Sequence, residues 1–279
     1  MLEALQLEFM RNAVLAGLLV SIVCGVIGTL VVVNRLVFLA GGIAHSAYGG
    51  IGLALFFGLP YLVGTFGFAL LAALAMAAVM LKAKHRADTV IGVLWAVGMA
   101  LGIILVDLTP GYNVDLMSYL FGSILAVPTS DLWHMLVMAG AVLFVVSYYY
   151  NDFLAMSYDE EFAQLRNVPV KLLYGLLFGM IALAVVMIIR LVGLILVIAL
   201  LTIPPYIAEK YARSLRMMMI LGTLLSCFFT LMGLWLSYTL NLTSGATIIM
   251  VAAGGFFISL LLERLIPKRL SPRAETVPR

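Results

Sequence analysis

Charge is absent from two long stretches of this chain: no Asp, Glu, Lys or Arg lies between Arg35 and Lys82, or between Arg216 and Glu263. A helix needs about 20 apolar residues to cross a bilayer, so each stretch has room for two such helices. The same pattern along the rest of the chain predicts nine spans, at about 10–33, 36–57, 61–81, 89–107, 132–150, 171–189, 191–208, 217–236 and 244–262. Gly58-Leu59-Pro60 divides the second from the third, and Asn241-Leu242-Thr243-Ser244-Gly245 the eighth from the ninth. Only a tight turn around Arg190 separates the sixth from the seventh. Segment 114–128 is apolar but too short to span, and reads as a surface or re-entrant helix. The expected fold is all-α: a polytopic transmembrane helical bundle over residues 1–266, then a disordered cytoplasmic tail at 267–279.

The polar positions between spans set an expected orientation. With the N-terminus outside, one face collects 14 of the 16 basic residues, in loops near Arg35, at 82–88, 151–171 and 209–216, and in the tail. Cytoplasmic loops are the basic ones, so the C-terminus is expected in the cytoplasm and the chain in the cell (plasma or inner) membrane. Composition agrees, since 65% of the 279 residues are hydrophobic and only 10% are charged. A globular domain carries roughly a quarter charged residues. The net charge of +3 is spread over short loops rather than along a stripe. Lipid is therefore an expected partner and nucleic acid is not. Glu3 and Glu8 lead straight into the first span, with no basic leader and cleavage site, so no removable signal peptide is expected. Cys24 and Cys227 lie inside apolar segments and read as small core residues.

Chemistry has few places to reside in such a chain. His45 stands in the middle of the second span, where an ionisable group is costly and is by default a functional candidate. Gly41, Tyr48, Gly49 and Gly52 are its helical neighbours, and the three glycines are expected to leave space beside the ring for an ion or for a second subunit's helix. Gly42, Ser46, Gly50 and Ala54 form a small-residue stripe at spacing four, which lets another helix backbone approach closely. The alternative is a histidine hydrogen-bonded across a helix contact, without a transport role. His85 sits among loop basics, and His134 begins a span as an expected interfacial side chain rather than a ligand. Asp107, Asp115 and Asp131 all fall on the outer side, as solvated anchors or as a cation vestibule.

Segment 157–168 predicts a short amphipathic helix in a cytoplasmic loop. Ser157 and Glu160 read as a capping box, Asp159, Glu160 and Glu161 suit a helix N-terminus, and Pro169 ends it. Tyr158, Phe162 and Leu165 share an apolar face, with Ala163 beside them. The acidic start and the lack of flanking basics favour a protein partner over lipid headgroups. No Gly-Lys dipeptide occurs, so there is no P-loop.

Four motifs in this order resemble the ABC-3 family, the permease subunits of bacterial zinc, manganese and iron importers. They are Gly41-Gly42-Ile43-Ala44-His45-Ser46-Ala47 with Gly50-Ile51-Gly52-Leu53-Ala54, Ser118-Tyr119-Leu120-Phe121-Gly122-Ser123-Ile124-Leu125, Tyr158-Asp159-Glu160-Glu161-Phe162-Ala163, and Val192-Gly193-Leu194-Ile195-Leu196-Val197-Ile198-Ala199-Leu200-Leu201 leading to Pro204. The resemblance covers about residues 10–265 and implies a permease moving a divalent metal as substrate, with no permanently bound cofactor. It implies a homodimer or a pairing with a second permease, an extracytoplasmic metal-binding protein, and a cytoplasmic ATP-binding subunit engaging helix 157–168. The chain itself would then be no enzyme, its partner hydrolysing ATP. His45 would lie on the metal path. The family often places an Asp four residues before that His, where this chain has Gly41. Rival readings are a metal-chelate permease of the siderophore or cobalamin type, and a stand-alone channel or secondary transporter.

Overall fold

Two of the turns expected from the sequence are helix ends with a left-handed residue. Gly58 has φ 66° and Asn241 φ 52°, and the next N–H in each case (Leu59 to the Ala54 carbonyl, Leu242 to that of Ser237) closes the last turn. The computed structural model describes residues 6–82, 87–110, 124 and 127–265. His85, Asp115, the tail at 267–279 and nearly all of segment 114–128 lie outside these.

The described residues form eleven helices: α1 Glu8–Val33, α2 Val37–Phe57, α3 Tyr61–Lys82, α4 Ala87–Asp107, α5 Thr129–Tyr148, α6 Tyr150–Tyr158, α7 Glu160–Leu165, α8 Val170–Val192, α9 Leu194–Tyr211, α10 Leu215–Leu240 and α11 Ser244–Leu265. Eight of them are long and apolar enough to cross a membrane. α9 occupies the place of the expected span at 191–208, and its 18 residues give about 27 Å, close to the ~30 Å of a hydrocarbon core. The turn before it is centred on Gly193, at φ 78°, and not on Arg190, through which α8 runs on to Val192. That backbone conformation is one that glycine adopts without steric cost.

α1, α2 and α8 form the centre, each buried over 72% or more of its most apolar window, whereas α4 is buried over only 22%. Lipid is as apolar as leucine, so hydrophobicity cannot decide which helices go inside; small residues that allow close packing do. α2 packs chiefly on α4 and α3, and α1 on α10, α9 and α5. At the α2–α4 crossing a methyl group on Gly102 would fall 2.5 Å from the Tyr48 carbonyl oxygen, and one on Gly52 2.5 Å from that of Gly102. Backbone cannot yield as a side chain can. Gly102→Ala is therefore expected to force α2 and α4 apart at a cost of about 2 kcal/mol. The thermal midpoint in detergent should fall by roughly 5 °C; an unchanged midpoint would show that the crossing is loose.

Candidate metal pathway and contact surface

α1 ends in a turn that puts Arg35 at φ 59°, unusual for a residue with a Cβ. The Leu36 N–H reaches the Val31 carbonyl at 2.8 Å, and the Arg35 N–H reaches that of Val32 at 3.0 Å. The reversal brings Arg35 to a cavity of about 760 Å³ that Asp88, Gly41, Trp95, Ile198 and Glu209 also line. Arg35, Asp88 in the first turn of α4, and Glu209 near the end of α9 belong to one end of the bundle. Trp95 stands seven residues, about 10 Å, deeper along α4 than Asp88. The cavity thus has a charged mouth and an apolar end.

His45 is half-buried beside that apolar end. Its ring stacks on Trp95, with centroids 4.1 Å apart and planes 14° from parallel. Nδ1 is buried and has no hydrogen-bond partner. Gly41 lies one turn away on the same face, and a Cβ there would stand 3.3 Å from Ile198 Cδ1. Position 41 is therefore on the cavity wall but offers no donor. The nearest carboxylates along this cavity are Asp88 and Glu209 at its mouth. Among the described residues no group of three or more His, Cys, Asp or Glu is placed to hold a metal.

The expected stripe divides between two neighbours. Gly42 meets Ile91 of α4 and Met76 of α3, Ser46 Oγ donates to the Leu94 carbonyl at 3.1 Å, and Gly50 and Ala54 meet Gly64 of α3. The space expected beside Gly49 and Gly52 for an ion or a second subunit is filled instead by α4, with the Phe68 ring of α3 also against Gly49. Methyl groups at these positions would lie 2.9 Å from the Gly98 oxygen and 2.5 Å from that of Gly102. Of the acids expected on the outer side, Asp107 is exposed and Asp131 is 6% exposed. His134 follows Asp131 on α5, and its Nδ1 bonds the Ser130 carbonyl at 2.9 Å. Cys24 and Cys227 are free thiols.

In the loop after α5 the expected helix 157–168 is two helices. Ser157 and Tyr158 close α6, and α7 runs only from Glu160 to Leu165. Ser157 is not the cap: its hydroxyl accepts from Asn34 Nδ2 at 3.0 Å, while Asp159 Oδ1 accepts the Phe162 N–H at 2.9 Å and caps α7. Nor does Pro169 stop the helix. Asn167, at φ 58°, turns the chain, with the Val168 N–H bonded to the Ala163 carbonyl at 3.0 Å. Glu160 accepts from Tyr174 Oη at 3.1 Å and so ties α7 to α8. Ala163 is fully buried, whereas Tyr158, Phe162 and Leu165 are 79%, 53% and 83% exposed. Asp159, Glu160 and Ala163 therefore shape and seat α7; Tyr158, Glu161, Phe162 and Leu165 face outward.

Residues 6–263 match the ABC 3 transport family. The chain belongs to that family. It is 52% identical to an uncharacterised membrane protein of Synechocystis sp., over 95% of this chain and 94% of the other. A manganese transport system membrane protein, MntC, of Listeria monocytogenes is 33% identical over 92% of this chain and 91% of its own. The solved structure of PsaBC from Streptococcus pneumoniae in complex with Fab superposes with a TM-score of 0.84 at 31% identity, covering 93% of this chain and 94% of that one. As an ABC 3 member the chain is a multi-pass membrane component of a transport system.

Several features of this ABC 3 site were not legible in the residue pattern. Trp95 lies in an apolar run like any other lipid-facing aromatic, and only the crossing of α2 on α4 brings it to His45. Asp88 and Glu209 are 121 positions apart and meet at one cavity only because α4 begins at the end of the bundle where α9 finishes. The sole local hint was that both are acids at the ends of spans expected on the basic face.

Proposed function

We propose that this chain is the membrane-spanning subunit of an ATP-driven importer of a divalent first-row transition metal, with manganese the first candidate and zinc and iron the alternatives. The observation that carries this reading is the His45 ring, its Nδ1 unpartnered, beside a cavity whose mouth lies where α1 and α9 end. Neutral imidazole binds such metals well, and a site with few other donors releases them. Asp88 and Glu209 at the mouth favour a cation there, and Arg35 beside them offsets part of that attraction, which keeps the hold on the ion weak. The exposed Tyr158, Phe162 and Leu165 are the seat of an ATP-binding subunit, which supplies the energy for alternating access. An extracytoplasmic metal-binding protein delivers the ion, and a second permease chain completes the pathway.

Co-reconstitution with the ATPase in liposomes tests this: radioactive manganese should accumulate with ATP and should not cross through the chain alone. Uptake by the isolated chain would favour a channel, and competition by a metal chelate but not by the free ion would favour the chelate permease. The orientation has its own test. In a Cys24→Ala/Cys227→Ala background, cysteines placed at Leu7 and Leu265, 43% and 76% exposed, should react with an impermeant maleimide from opposite sides. Labelling of both from one side would mean that the number of spans is even.

A further inference from the structure

The structure assigns Trp95 as a gate between the cavity and His45, a side chain that has to turn aside before a hydrated cation in the cavity reaches the imidazole. The indole lines the cavity with Phe38, Gly41 and Ile198, whereas His45 is not among the described lining residues. The imidazole lies flat against the indole, with centroids 4.1 Å apart and planes 14° from parallel. Rings that close touch across their faces, and neither water nor an ion fits between them. One face of the indole is thus covered by His45, and the cavity meets the rest of the ring. From the mouth at Asp88 and Glu209 inward, the order is cavity, indole, imidazole.

The backbone behind Trp95 is pinned. Ser46 Oγ donates to the Leu94 carbonyl at 3.1 Å, and a methyl group on Gly98 would fall 2.7 Å from the Ser46 Cα. α4 cannot slide along α2 to uncover His45, so opening falls to the side-chain torsions of Trp95. The ring has room to turn. A Cβ at Gly41 would stand 3.9 Å from Trp95 Cζ3, so a longer side chain there would press on the indole. Gly41 offers the path no donor, and its use is to leave that ring free. On the cavity side about 760 Å³ stand open to it.

The barrier is apolar. Phe38 lies 5.9 Å from Trp95, tilted by 42°, and the two rings face the cavity beside Ile198. A constriction of this kind stops ions by shedding water rather than by charge. Access to His45 is then set by a rotation of one side chain on α4. Its part in transport rests on the importer reading; the barrier itself does not.

The test uses the full chain in nanodiscs, with His45→Cys in the Cys24→Ala/Cys227→Ala background. The probe is a permanently charged methanethiosulfonate, which needs a wet path as a metal ion does, and its addition is read by mass. Trp95→Ala should speed labelling at least about tenfold, because a minor open state is populated for roughly 10% of the time or less. Trp95→Phe keeps a smaller ring and should also label faster than the native residue, which carries the comparison if the Ala variant folds poorly. Ala47→Cys, fully buried on α2, should stay unlabelled with either residue at position 95. Rates at position 45 that neither variant raises overturn the gate. So does labelling of Ala47→Cys as fast as that of His45→Cys in the Trp95→Ala chain, since the helices would then have come apart. Labelling as expected, in a chain whose complex with the ATPase imports no metal, sinks the importer reading and leaves the gate standing.

Discussion

Phe162→Asp should leave the permease folded and inserted while abolishing its association with the ATPase. Phe162 is 53% exposed, and its one described ring partner is the Arg166 guanidinium 5.9 Å away, so a polar replacement disturbs little inside the chain. The consequence falls on the contact instead. Tyr158, Phe162 and Leu165 form an outward apolar surface above a helix that Asp159 caps and Glu160 ties to Tyr174. Burying an unpaired carboxylate in such a contact costs about 3 kcal/mol or more, roughly a hundredfold in affinity. Co-purification should fail and metal-stimulated ATP hydrolysis should disappear. Normal assembly and hydrolysis in this variant would mean that α7 faces lipid or solvent. Ala163→Asp would not serve, because Ala163 is fully buried and the chain itself would suffer.

The second large effect is expected at His45. His45→Gln keeps a similar volume and hydrogen-bonding capacity but replaces imidazole with an amide, a poor ligand for a divalent transition metal. Uptake should fall by at least about tenfold, the cost of ~1.4 kcal/mol in the transition state for passage. Protein level and ATPase association should stay near wild type, because the native ring makes no hydrogen bond through Nδ1 that the variant would lose. His45→Ala should lose uptake as well, and also the stacking on Trp95. A structural histidine forecasts otherwise: loss of transport in step with loss of folded protein, and a Gln variant that transports normally. That last result would send the metal along another route.

The spans could be read from the chain because a bilayer imposes a length on any helix that crosses it. The charge-free runs from Arg35 to Lys82 and from Arg216 to Glu263 each resolved into two helices, divided where Gly58 and Asn241 cap the first of each pair. His45 stood out for a related reason, as a polar group in a place where polarity is expensive. The sequence put Tyr158, Phe162 and Leu165 on one face of a single helix; they are exposed, but Tyr158 ends α6 and the other two lie on α7.

Neighbours were a different matter. In lipid every apolar helix surface is equally content, so hydropathy does not say which helix lies against which. Only the backbone-to-backbone crossing at Gly52 and Gly102 filled with α4 a space that the sequence left open for an ion or a second subunit. The choice of cap at Asp159 over Ser157 turned on the pull of Asn34, 123 positions away. Trp95 over His45, and Asp88 opposite Glu209, are likewise meetings of segments that share no local pattern. Spacing along one helix fixes which side chains share a face; what that face meets is settled by packing between helices, and for this chain small residues decided it.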